Sequence, residues 1–113
     1  MQHVILVALG GAMGALSRWG VSTLVAVPWA TFVVNVLGSI LLGFLVAATD
    51  KPELRLLLGT GFLGAFTTFS TFSVESMQLV ESGEYGVAAA SVLGNLVLGL
   101  SGAALGLYLG ARA

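Results

Sequence analysis

Apolar positions fill this chain in four long stretches, residues 4–27, 31–48, 54–80 and 85–111, separated by three short connections. A helix needs about 20 predominantly apolar residues to cross a bilayer, so each stretch predicts a transmembrane helix. The connections are Pro28-Trp29-Ala30, Thr49-Asp50-Lys51-Pro52-Glu53 and Glu81-Ser82-Gly83-Glu84, all with turn residues in them. Such short loops make successive helices antiparallel neighbours. The expectation is an all-α membrane protein forming a single integral membrane domain over residues 1–113. Met1-Gln2-His3 brings no basic side chain, and the apolar run behind it is too long for a signal core, so it reads as a retained first helix.

Within the spans the polar and small positions fall into stripes. Thr31, Asn35 and Ser39 recur every fourth residue in the second, as do Ser91, Asn95 and Gly99 in the fourth; Gly11, Gly14 and Arg18 share a face of the first. Polar groups at bilayer depth are costly and turn toward a bundle interior or a water-filled path. A lone Asn or Ser there is commonly interhelical glue worth roughly 1 kcal/mol, and Arg18 can reach an interface by snorkelling. Four aligned stripes together predict a polar seam. Gly10 and Gly14, and again Gly102, Gly106 and Gly110, form G-x-x-x-G pairs that predict close helix packing, within one chain or between chains.

The third span departs from an ordinary apolar helix. Gly59, Gly61 and Gly64 are followed by the hydroxyls Thr67, Thr68, Ser70, Thr71 and Ser73, with Phe62, Phe66, Phe69 and Phe72 interleaved. Glycine and β-branched threonine weaken a helix, and hydroxyls compete for backbone hydrogen bonds. This predicts a break near residues 64–68. Broken backbone at membrane depth is tolerated where it is buried in protein or lines a cavity, and its freed carbonyls suit a hard cation such as Na⁺. The phenylalanines suit the opposite charge, because a ring edge is electropositive. Ring edges, hydroxyls and an asparagine amide would hold an anion loosely enough to release it. A small-ion pore follows, with the sign of the ion open. Glu75, the one acid well inside a span, either caps the outer half of this helix or pairs with Arg18.

Composition narrows the chemistry. With 58% apolar and 8% charged residues, a chain this small could not hide its apolar surface in water. It has no cysteine and one histidine, His3, leaving no nucleophile–base pair or metal cluster for an enzyme. A net charge of −1 gives nucleic acid no reason to bind. Lys51, Arg55 and Arg112 lie on the side that holds both termini, a bias toward termini inside but weak enough to permit both orientations.

The run from Gly61 through Phe66-Thr67-Thr68-Phe69-Ser70-Thr71-Phe72 to Glu75 resembles the signature of the Fluc (CrcB-type) fluoride channels. Gly10 to Trp19, Thr31 to Ser39 and the glycine-rich fourth span agree with it in order, so the resemblance covers essentially the whole chain. It implies a dual-topology, antiparallel homodimer in the cell membrane, with two fluoride pathways and a structural Na⁺ at its centre. Phe69 and Phe72 then match the ring edges that contact fluoride, Asn35 the pore-lining amide and Arg18 a pore entrance. Thr68, Ser70 and Thr71 match the hydroxyl track, and Gly64 and Thr67 the Na⁺-binding carbonyls. Ser91 stands where many members carry tyrosine, and Asn95 where many carry serine; both keep hydrogen-bonding capacity in the pathway. The implied function is passive fluoride efflux that lowers cytoplasmic fluoride toxicity. The alternatives are a four-helix, dual-topology multidrug or cation transporter, which needs a membrane-embedded carboxylate, and a non-transporting assembly protein whose polar stripes are glue.

Overall fold

The computed structural model describes residues 1–113 and is entirely helical. Helix α1 is Gln2–Leu24, α2 is Trp29–Ala48, α3 spans 52–66, α4 is Phe69–Glu81 and α5 is Tyr85–Gly110. Helices α1, α2, the α3–α4 pair and α5 make four crossings, each long and apolar enough to span a membrane. The long axis of 47 Å exceeds the roughly 30 Å of bilayer hydrocarbon, so the helix ends reach the headgroups.

Local chemistry sets the helix ends. Pro28, lacking an N–H, is the N-cap of α2, and its carbonyl accepts the Phe32 N–H at 3.2 Å. Trp29 and Ala30, expected in the loop, therefore form the first turn of α2. At the other end Arg55 donates from Nη2 to the Val46 carbonyl at 2.7 Å and from Nε to Thr49 at 2.8 Å. A cation there meets the negative end of the helix dipole. Gly83, at φ 78°, supplies the left-handed turn between α4 and α5.

Two backbone-close pairings hold the bundle: α1 on α3, and α2 on α5. A Cβ on Gly10 would run into the Leu57 carbonyl, and one on Gly14 into that of Phe62. Across the other pair, Gly106 abuts the Ile40 carbonyl and Gly110 that of Phe44. Both glycine motifs are thus consumed inside one chain. Gly59 and Gly61 also serve packing, against Leu45 and Gly10. The buried apolar cluster is small, Val34, Leu63 and Phe66, and most large apolar side chains face outward, as lipid-facing helices require.

The third crossing breaks over two residues. Thr67 (φ −89°, ψ 157°) and Thr68 (φ −153°, ψ 115°) are extended, whereas Gly64, Ala65 and Phe66 stay helical. The expected break at 64–68 is corrected to 67–68. All three glycines stay helical, Gly59 and Gly61 in a π-helical stretch over Arg55–Leu63 where they serve close packing; the paired β-branched threonines carry the interruption.

Candidate functional site

A break at this depth exposes backbone groups that lipid cannot satisfy, and three side chains take them up. Asn35 of α2 meets Thr68 twice: its Oδ1 accepts the Thr68 N–H at 2.8 Å, and its Nδ2 donates to the Thr68 carbonyl at 3.1 Å. The amide thereby stands in for a neighbouring β-strand. Thr68 Oγ1 caps α4 by accepting the Thr71 N–H at 3.2 Å. Arg18 Nε donates to the Ala65 carbonyl at 2.9 Å, whereas Thr67 Oγ1 donates at 3.0 Å to the Leu63 carbonyl, which already accepts the Thr67 N–H.

Two cavities meet at Thr68. The larger, of about 250 Å³, is lined by Asn35, Ser39, Thr68, Phe69, Phe72 and Asn95, among others. The second, of about 140 Å³, is lined by Arg18, Ser22, Thr31, Thr68, Thr71 and Glu75, among others. The Phe69 and Phe72 rings lie 5.7 Å apart at 57°, and both line the larger cavity. Phe72 is 8% exposed and Phe69 75%, so one ring is wedged in the bundle and the other stands on its surface.

The residues singled out by sequence divide between these places. Asn35, Thr68, Phe69, Phe72 and Asn95 come together in the larger cavity; Arg18 and Thr71 lie in the second. Ser70 is exposed on α4, in a shallow groove with Thr71, Val74, Glu75 and Gln78. Ser91, 2% exposed, lines neither cavity; its carbonyl accepts from Asn95 Nδ2 at 2.8 Å. Gly64 is exposed and Thr67 half-buried.

Glu75 makes no ion pair with Arg18; the one salt bridge is Arg55–Asp50 at 3.3 Å. Its Oε1 is buried without a hydrogen-bond partner, in the same cavity as Arg18. Ser22 and Gln78 were not singled out from sequence. Their signal was their spacing, one turn beyond Arg18 and nearly one beyond Glu75.

The family described as CrcB-like protein, Camphor Resistance (CrcB), matches residues 5–107. The fluoride-specific ion channel FluC 1 of Listeria monocytogenes is 48% identical over 116 residues, which cover 97% of this chain and 98% of that protein. The fluoride-specific ion channel FluC of Nitratidesulfovibrio vulgaris is 44% identical over 121 residues, 97% and 98% of the two chains. That of Dehalococcoides mccartyi is 41% identical over 121 residues, 97% and 93% of the two. Similarity of this level runs through all four crossings and the break between α3 and α4, and on it the chain belongs to the CrcB family, as a multi-pass integral membrane protein.

Proposed function

We propose that this chain is a fluoride-selective channel, not an enzyme, giving passive efflux of fluoride across the cell membrane and so reducing its toxicity in the cytoplasm. The observation that carries the reading is the meeting of two polar cavities at the broken backbone of Thr68. An anion in the larger cavity meets the electropositive edges of Phe69 and Phe72 and the one Asn95 Nδ2 proton not given to Ser91, with no fixed positive charge to trap it. Arg18 lines the second cavity, where a cation attracts the anion inward. Thr68, Thr71 and Ser70 continue the path with hydroxyls. The relatives named fluoride-specific ion channels agree in the ion.

The working unit in this reading is an antiparallel homodimer of dual topology. Phe69, Ser70 and Gly64 are exposed on the single chain, within a few residues of the break. Polar groups in that position need cover from protein. A second copy supplies it, and the weak charge bias of the loops permits the inverted orientation.

Na⁺ fits the break as a structural ion. The carbonyls of Gly64 and Thr67 would normally bond the N–H groups four residues on, those of Thr68 and Thr71. Those donors are taken by Asn35 Oδ1 and Thr68 Oγ1. The freed oxygens lie at the negative end of the α3 dipole, and Na⁺ bound there would hold the two copies together.

The test is efflux from liposomes loaded with fluoride. Fluoride release without a proton gradient, with chloride retained, is the expected result. Silence toward fluoride would sink the reading, and release that requires a proton gradient would favour the multidrug-type exchanger, with Glu75 as its carboxylate.

A further inference from the structure

We infer that Asn95 is a positioning residue for the broken helix, acting through Asn35. Asn35 has no hydrogen-bonding capacity to spare on its nitrogen. One Nδ2 proton goes to the Thr68 carbonyl at 3.1 Å and the other to Asn95 Oδ1 at 2.9 Å, while its own Oδ1 takes the Thr68 N–H at 2.8 Å. The amide of Asn95 is oriented in turn: Nδ2 donates to the Ser91 carbonyl at 2.8 Å, which aims Oδ1 at Asn35. Asn95 sits in a widened π-helical turn, Gly94–Leu98, with the Phe32 ring packed on Gly94, and is 9% exposed. Such turns displace one residue from the regular ladder and re-aim its side chain.

A directed chain of hydrogen bonds therefore runs from α5 through α2 to the break. Removing the Asn95 acceptor leaves an Asn35 N–H unpartnered in the cavity wall, a costly state. Rotation of the Asn35 amide relieves it but disengages the amide from both backbone groups of Thr68. The backbone angles of Thr68 set the direction of α4 and of the Phe69 ring next to it. Asn95 thus controls the ring through Asn35 and Thr68. The flux readout of this inference rests on the channel reading; the spectroscopic one does not.

The test uses the full-length chain, ¹⁵N-labelled in bicelles, together with liposome efflux. In the wild type both Asn35 Nδ2 protons and the Thr68 amide exchange slowly; fast exchange of either Nδ2 proton overturns the inference without any variant. Asn95→Leu, similar in shape but lacking the acceptor, is expected to speed Thr68 exchange about tenfold and to slow fluoride efflux about tenfold, as loss of a buried hydrogen bond implies. Asn95→Asp keeps an oxygen facing Asn35 and is expected to leave Thr68 as protected as in the wild type. Slower efflux in Asn95→Leu with unchanged Thr68 exchange would overturn the inference, because Asn95 would then act on the ion directly. Unchanged exchange and unchanged efflux would overturn it too. A wild type with slow exchange but no fluoride efflux would defeat the channel reading alone.

Discussion

Arg18 Nε donates to the Ala65 carbonyl at 2.9 Å across a sequence separation of 47 residues. The contact ties the C-terminal third of α1 to the last turn of α3, where the helix dipole ends and carbonyls lose their helical partners. A cation so deep in a span has two uses at once: it closes a backbone debt at the break and places a positive charge in the smaller cavity.

Arg18→Met removes both. It is expected to lower unfolding stability in detergent by about 1–2 kcal/mol and to slow fluoride efflux. Arg18→Lys retains charge but not the planar fork, so it should recover efflux more than stability. Equal loss of both properties in the two variants would contradict the double role.

Glycine substitutions should split by location. Gly14→Ala and Gly106→Ala drive a methyl into the carbonyls of Phe62 and Ile40 and are expected to destabilise by about 1–3 kcal/mol or more. Gly20→Ala and Gly86→Ala meet nothing within 4 Å, and should be neutral or stabilising by up to about 1 kcal/mol, since alanine is the better helix former. Denaturant titrations of the four variants check the contrast.

The two phenylalanines should separate flux from stability. Phe72, 8% exposed, leaves a cavity when cut to alanine, at about 3 kcal/mol. Phe69, 75% exposed on the single chain, should cost less than about 1 kcal/mol of the chain's own stability, any further cost appearing as weaker association of the two copies. Both variants are expected to slow fluoride efflux at least about tenfold if ring edges contact the ion. Unaltered efflux in Phe69→Ala, the better-folded of the pair, would remove the ring-edge account.

Sodium can be counted. If carbonyls from two copies share one ion, protein exchanged into sodium-free buffer should retain about one Na⁺ per two chains by atomic emission. Asn35→Leu returns the Thr68 N–H to the Gly64 carbonyl and is expected to lose that ion. Full retention in Asn35→Leu would mean that Asn35 does not hold those carbonyls free.

The legible part of this molecule was its periodicity. Four crossings could be read because lipid imposes one requirement, an unbroken apolar length, that each stretch meets or misses by itself. The stripe Thr31, Asn35, Ser39 was visible for the same reason, and the dense hydroxyls of the third crossing announced a break. The break falls at 67–68, the C-terminal end of the expected window, because glycine weakens a helix in isolation, whereas here Gly59 and Gly61 face close neighbours and stay helical. Pairing of Glu75 with Arg18 was likewise open from spacing and absent in space.

Sequence alone therefore determined the solvent, the number of crossings, the presence of a break and the residue types at it, all of which depend on local composition and spacing. The fold decided which backbone groups the break sets free and which side chains receive them. Asn35 reaches Thr68, Asn95 reaches Asn35, and Arg18 reaches Ala65 across 33, 60 and 47 residues. Hydrogen bonds act over about 3 Å, so partners that far apart in the chain are chosen only when glycine contacts bring their helices together.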